Sequence, residues 1–233
     1  MKNTGVFETI RYKNGQLEQL AEHLDRLKNG CKALGITVDL YEIERKIIDA
    51  IEAQHLTQDI ARVRLIASEF NLLISAESYQ PLPKETYFQG IRLLTLPHPQ
   101  PNEQAKIKSQ GRPGYEEALK KAQRQGYDEA LLLHGNEILE CSTANILVSW
   151  QGKVLQPPRS ATRLSGVTEE AVLREVRDRA QLSLPWPLHS DAHVYITSSM
   201  RGILPVRHIN DLSFPIDPED PLSLLIQKFW PHA

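Results

Sequence analysis

A chain of 233 residues can bury a substantial core as one large or two small domains, and two are expected here. Hydrophobic residues make up 41% and charged residues 24%, with a formal net charge of -2, which argues against nucleic acid or an anionic membrane as a charge-driven partner. No apolar run approaches a membrane span, and the opening Met1-Lys2-Asn3-Thr4 lacks the apolar stretch of a signal peptide, so a cytoplasmic protein is expected. Cys31 and Cys141 cannot build a disulfide framework or a four-sulfur zinc site. The histidines lack the paired spacing of a helix-borne metal site, so no metal is expected.

In chain order, Phe7 to Tyr12 alternates as a strand and meets Asn14-Gly15, the pair preferred in two-residue hairpins because both residues accept positive φ. Leu17, Leu20, Leu24, Leu27, Cys31 and Leu34 fall at helical spacing, and Gly35 supplies the stop. On that periodicity Arg26 reads as a surface arginine at the helix rim. A second helix is expected over about Leu40 to Gln54, with Ile43, Ile47, Ile48 and Ile51 as its apolar stripe. Ile60 to Ala67 and Asn71 to Ala76 read as strands, as does Ile91 to Leu96. Proline fixes φ and cannot donate to a ladder, so the cluster Pro97, Pro99, Pro101 places the domain boundary at 97/98, giving domains 1–97 and 98–233.

An amphipathic helix is expected from about Tyr115 to Gln125. Ala130 to Leu133 and Ile138-Leu139 then form a hairpin around Gly135-Asn136. Glu140, Ser142, Thr143 and Asn145 crowd its return, just before the apolar run Ile146 to Val148. Alone, such a cluster is a solvated loop or the lining of a polar site at a strand end. Gln151-Gly152 marks another tight turn. Ser165-Gly166-Val167-Thr168 opens a helix expected to run to about Ala180, with Thr168 as its cap and two carboxylates in the first turn. The same stretch could seat an anion on free backbone N–H groups. Val194 to Ile196 is a strand leading into the hydroxyl-rich turn Thr197-Ser198-Ser199, and Asp220-Pro221 is expected to cap a last helix.

Together these pieces resemble the class IV aminotransferases, the fold-type IV pyridoxal-phosphate enzymes that include D-amino-acid and branched-chain aminotransferases and 4-amino-4-deoxychorismate lyase. The resemblance runs from Gly5 to about Val206. Gly5-Val6-Phe7-Glu8-Thr9-Ile10-Arg11 is similar to the family's opening strand, and His23-Leu24-Asp25-Arg26-Leu27 to its His-x-x-Arg-Leu helix. Gly126 to Ala130 through Glu140 to Asn145 resembles the family's most specific signature. The resemblance implies an α+β, two-domain fold, with a small α/β N-terminal domain and a larger pseudo-barrel C-terminal domain. It implies pyridoxal 5'-phosphate as cofactor, with Lys108 as covalent attachment point and general base; Lys106 is the competing lysine. Arg26, Gly166, Val167, Thr168, Ser198 and Ser199 would hold the phosphate, and Glu140 would hold the pyridine nitrogen protonated. Asn145 and Tyr115 would face substrate.

Two departures from the family pattern stand out: proline occupies position 113, where a tyrosine often follows the lysine, and Glu169 replaces the arginine common after the Gly-x-Thr turn. Many relatives also carry a further strand or hairpin before Gly5, whose side chains help line substrate pockets. The function implied is that of an aminodeoxychorismate lyase, with an aminotransferase of branched-chain or D-amino acids as the alternative on the same scaffold. An inactive binding protein that kept the fold is a third reading. A homodimer is expected, because sites in the family are completed from the partner subunit.

Overall fold

The computed structural model describes residues 5–99, 102–110, 112–159 and 162–230. Residues 1–4 of the opening and Pro101 of the proline cluster lie outside them. Two compact units result, one running to Pro81 and recruiting Ile107–Arg112, the other made of Leu82–Lys106 and Pro113–Trp230.

In the first unit β1 (Val6–Lys13), β2 (Gln16–Leu17), β3 (Ala61–Ala67) and β4 (Leu72–Ser78) form a sheet of order β2-β1-β3-β4, antiparallel throughout. Asn14 and Gly15 take φ of 52 and 78°, as the hairpin demands. That turn pairs Leu17 with Tyr12, so Leu17 belongs to the hairpin rather than to the helix, and α1 (Leu20–Ala33) starts later than expected. Similarly α2 (Ile43–Ala53) begins at Ile43 rather than Leu40, after Glu42 turns through φ 51°. The helices cover one face of the sheet, where Leu27, Cys31, Ile43, Ile47 and Ile51 pack on Val6, Ile10, Val63 and Leu65.

Strand alternation brings Val6, Glu8, Ile10 and Tyr12 into that same buried row. One of the four is a carboxylate. Gly30, inside α1, lets the helix close on β1: a Cβ there would stand 2.8 Å from Val6 Cγ1. A helical glycine costs roughly 1 kcal/mol relative to alanine, which the close approach offsets. The part of the β1 edge that β2 leaves open is taken by the segment carrying Lys108. Phe7 N–H donates to Lys108 O at 2.9 Å, Gln110 N–H to Gly5 O at 2.6 Å, and Val6 bridges Ser109.

The second unit holds β5 (Ile91–Pro97), β6 (Glu129–His134), β7 (Glu137–Cys141), β8 (Asn145–Trp150), β9 (Lys153–Gln156), β10 (Arg179–Gln181), β11 (His193–Ser198), β12 (Gly202–Ile209) and β13 (Leu212–Ser213). Among the described residues they make one mixed, curled half-barrel sheet of order β10-β9-β8-β11-β12-β5-β6-β7, with β13 on β12. Strand β5 runs parallel to both β6 and β12 and belongs to the second unit; of the proline cluster expected as the domain connection, Pro97 ends β5 and Pro99 follows it. Helices α3 (Thr86–Gln89), α4 (Pro113–Arg124) and α5 (Val167–Glu175) complete the unit.

Two expected helices are corrected. α5 ends at Glu175, and Val176 is already extended at φ -91°, ψ 128°. The charged run from Arg174 to Arg179 offers no apolar stripe to continue the helix, and Arg179–Gln181 instead pairs with β9 in parallel. The segment after Asp220 forms successive turns and a short 3-10 helix, Gln227–Phe229, although it buries Leu222, Ile226 and Phe229 at helix-like spacing. Among the described residues no helix is long and apolar enough to cross a membrane.

Candidate active site

The first unit gathers four ionisable side chains at one point. Glu8, fully buried, accepts Nε of Arg26 at 2.7 Å on one oxygen and Nη2 at 2.7 Å on the other, a bidentate fork. His23 Nδ1 lies 2.8 Å from Oε2, and Lys108 Nζ stands 3.6 Å from the same oxygen and 5.1 Å from the centre of the Phe7 ring. His23 and Arg26, three residues apart on α1, share the face turned to β1. The hydrogen bond from Phe7 N–H to Lys108 O brings Lys108 beside Glu8, the next residue of β1.

The electrostatics are mutual. Burial alone would raise the Glu8 carboxyl, but Lys108, Arg26 and His23 outweigh it and hold the group well below the ordinary carboxylate range. Lys108 is pushed down to about 8, first by burial and then by Arg26 and Arg112, against the opposing pull of Glu8. Burial also lowers His23, against the hydrogen bond and charge of Glu8. Arg26 therefore does two things: it satisfies Glu8 and keeps that carboxylate from locking Lys108 as an ammonium. Lys106, by contrast, ends a 3-10 turn and pairs with Glu103 at 2.9 Å near the surface.

The second unit places Glu140 on β7, nearly buried. Its Oε1 accepts the Tyr115 hydroxyl at 3.0 Å and lies 3.3 Å from His98 Nε2, and its Oε2 accepts Leu164 N–H at 3.2 Å. Tyr115 and His98 also touch each other, hydroxyl to Nε2 at 3.0 Å. Asn145, at the start of β8, donates Nδ2–H to Leu164 O at 2.7 Å and fills the space over Gly166, where a Cβ would come within 2.0 Å of its Oδ1. Only glycine fits that turn. Asn145 is also paired across the sheet with Thr197 of β11, so β8 links the turn before α5 to the end of β11.

Gly166, not Thr168, is the N-cap of α5, a second correction at this helix. Thr168 sits at the second helical position, buried, and its hydroxyl has no partner among the described residues; the buried Thr197 hydroxyl has none among them either. Buried polar groups are ordinarily bonded, so two orphan hydroxyls beside a helix N-terminus mark a place fit for a hydrogen-bonding anion. Glu169 lies in the same turn: its Oε2 accepts from buried Arg163 at 2.8 Å and from Gly166 N–H at 3.2 Å, its Oε1 has no partner among the described residues, and burial raises its proton affinity. Ser198 is engaged by Arg201, whose Nε lies 3.2 Å from the hydroxyl. Arg201 in turn pairs at 3.0 Å with buried Glu129, which Ser142 and Thr143 also bond.

Within the first unit the structure thus joins Arg26 to Lys108 through Glu8. Within the second, Tyr115 meets Glu140, and Asn145 meets Gly166 and Thr197. Asn145 and Tyr115, expected to face substrate, are buried and bonded to Leu164 and Glu140. Sequence reasoning missed Glu8, His23, His98 and Arg163 as members of these clusters. Glu8 was within reach, since period-two alternation aligns it with Val6 and Ile10, as was His23, four residues before Leu27 on the buried stripe. His98 and Arg163 carry no local periodic signal.

The sequence model of one family, amino-transferase class IV, matches residues 5–209, and the chain belongs to that family. The family uses pyridoxal phosphate and acts on amino compounds. The chain is similar to a crystal structure bearing the name "Putative 4-amino-4-deoxychorismate lyase", with a TM-score of 0.86 and 27% identity over 100% of this chain and 92% of that one. The branched-chain amino acid aminotransferase of Escherichia coli superimposes with a TM-score of 0.84 at 22% identity, over 97% of this chain and 84% of that one, and shares the fold-type IV architecture. D-alanine aminotransferase of Listeria monocytogenes serotype 4b is 23% identical, over 97% of this chain and 85% of its own length.

Proposed function

We propose that this chain is a pyridoxal-phosphate enzyme that converts 4-amino-4-deoxychorismate to 4-aminobenzoate and pyruvate. The observation that carries an enzymatic reading is Lys108, a part-buried amine lowered to about 8 and held beside a carboxylate that arginine already satisfies. A lysine meant only for solvation would sit in water with its proton. The lyase reading rests on Thr197-Ser198-Ser199-Met200-Arg201-Gly202-Ile203-Leu204-Pro205-Val206, which resembles lyase-like members, and on the name borne by the 27% identical structure.

The residues fit the cofactor on three counts: a deprotonatable part-buried lysine, a buried carboxylate on dipolar partners, and two orphan hydroxyls near a helix N-terminus. Lys108 would attach it, Glu140 would face its pyridine nitrogen, and Gly166, Val167, Thr168, Ser198 and Ser199 would hold its phosphate, with Arg26 contributing positive charge while its fork stays on Glu8. When bound, the cofactor supplies an electron sink for the carbon that bears the amine. Released when the substrate amine takes its place, Lys108 would remove the proton from that ring carbon. The carbon–oxygen bond to the enolpyruvyl group then breaks as the ring becomes aromatic, and protonation of the departing group gives pyruvate.

Purified protein given aminodeoxychorismate should release 4-aminobenzoate and pyruvate with no keto acid added. The likeness to D-alanine aminotransferase favours transamination as the second reading. No aminobenzoate, together with keto-acid-dependent turnover of an amino acid, would replace the first reading by the second. A homodimer is part of the proposal, and sedimentation showing only monomer at micromolar concentration would remove it.

A further inference from the structure

The contacts of Glu140 come from three separate elements. His98 follows β5 and is fixed by its own N–H, which donates to Leu133 O of β6 at 2.7 Å. Tyr115 stands in the first turn of α4 and is buried in an apolar cluster with Leu96, Ala118, Ala122, Ala130 and Leu132. Glu140 lies on β7. The two rings meet edge to face, with centroids 5.3 Å apart and planes at 86°, so each ring limits the rotation of the other.

Counting protons decides how the three groups are linked. Tyr115 has one hydroxyl proton and two acceptors within 3.0 Å, Glu140 Oε1 and His98 Nε2. Were that proton given to His98, the phenol oxygen would turn a lone pair toward the buried Glu140 Oε1 with no proton between. Such an arrangement sets an acceptor against an acceptor in a low dielectric, which is costly. Given instead to Glu140, the proton makes a charge-assisted bond, and Tyr115 oxygen is left to accept from His98. His98 must then carry its proton on Nε2. That nitrogen also lies 3.3 Å from Oε1, so its N–H favours the ionised carboxylate as well. Leu164 N–H, 3.2 Å from Oε2, fixes the other oxygen.

We propose that His98 and Tyr115 are positioning residues for Glu140, linked as His98 Nε2–H to Tyr115 oxygen and Tyr115 O–H to Glu140 Oε1. The chain of bonds holds the carboxylate in one orientation. So oriented, Glu140 can accept a hydrogen bond from a protonated cofactor ring nitrogen. This last consequence rests on the proposed function; the tautomer of His98 and the bonds to Glu140 do not.

The test has two arms that fail separately. In the cofactor-free chain labelled with nitrogen-15 in histidine, His98 should be the Nε2–H tautomer, and Glu140→Gln should let the Nδ1–H form appear, because the amide can itself donate to Nε2. A native Nδ1–H tautomer, or one that Glu140→Gln leaves unmoved, would overturn the linkage. In the chain loaded with pyridoxal phosphate labelled at the ring nitrogen, Tyr115→Phe and His98→Leu should lower the protonated fraction of that nitrogen. They should reduce kcat about ten-fold with little change in KM, as expected for loss of a hydrogen bond to a charged group. His98→Gln, which keeps a donor near the Nε2 position, should restore most of the signal. A ring-nitrogen signal indifferent to Tyr115→Phe would refute the tuning role. A chain that takes up no pyridoxal phosphate at all would sink the proposed function while leaving the tautomer result to decide the linkage.

Discussion

Glu8 and Glu140 are both hidden from water, one in each unit, yet their described partners differ in kind. Around Glu8 stand a guanidinium fork, an imidazole and an ammonium; the described partners of Glu140 are a phenol, an imidazole and a backbone N–H. Cations stand against the first, while the described contacts of the second are mostly dipoles. A carboxylate surrounded by cations sets the state of its neighbours. On the proposed function, Glu8 prepares Lys108 and Glu140 receives an N–H-bearing group.

The largest effect that could break this comparison is loss of Lys108. Lys108→Ala should abolish both turnover and the cofactor adduct trapped by borohydride, whereas Lys106→Ala, which loses only its surface pair with Glu103, should leave both intact. An adduct mapped by mass spectrometry to Lys106 would remove Lys108 from the mechanism and leave the Glu8 cluster without a catalytic purpose. Reactivity supplies a finer measure in the cofactor-free chain. Labelling of Lys108 by an amine reagent should titrate with a midpoint near 8, and Glu8→Gln should move that midpoint lower, because Glu8 is what raises it.

Next come the two carboxylates themselves, and here the expected effects differ in kind. Glu8→Gln leaves cationic groups buried without their counter-ion and should cost about 3–5 kcal/mol in urea denaturation. Glu140→Gln should be mild in that assay but slow turnover about a hundred-fold while retaining the attached cofactor, since an amide no longer favours a protonated ring. The pH dependence separates them further. Because the folded state depresses Glu8, its contribution to stability is present above the ordinary value of 4.5 and is lost as pH falls below it. For Lys108 the unfolded chain binds more protons between about 8 and 10.5, so stability should rise with pH across that window. Glu8→Gln should flatten the acid limb, while Glu140→Gln should leave the alkaline rise in place.

Much of the fold was legible because it is periodic. Asn14-Gly15 announces its hairpin, the isoleucines of α2 announce a helix, and the order of short motifs from Gly5 to Val206 carries the family. The failures lie where local pattern and tertiary partner compete. Leu17 fits the α1 stripe but is claimed by its cross-strand partner Tyr12, and the residues after Glu175 have helical propensity but find a strand in β9. The site is less legible than the fold for the same reason. His98 reaches Glu140 across 42 residues, and no spacing near Pro97 or Pro99 foretells that contact. Arg163 is similarly silent until the turn at Gly166 brings Glu169 back to it.

The smallest expected effect sharpens the lesson by removing burial and keeping the chemistry. Arg45 and Asp49 on α2 form an ion pair of 2.8 Å, close to the 2.7 Å of Arg26 and Glu8, but with side chains 73% and 52% exposed. They stand one helical turn apart, so backbone geometry already brings them together and little ordering is gained from the contact. Water and salt screen the attraction, and either charge left alone remains solvated, which is what Arg26 deprived of Glu8 cannot be. Asp49→Asn should therefore change stability by no more than about 0.5 kcal/mol, and that difference should shrink as salt is added. A cost approaching that of Glu8→Gln would show that ion-pair geometry, rather than the withdrawal of water, sets the strength of such pairs in this chain, and the contrast between Glu8 and Glu140 would have to be rebuilt on distance alone.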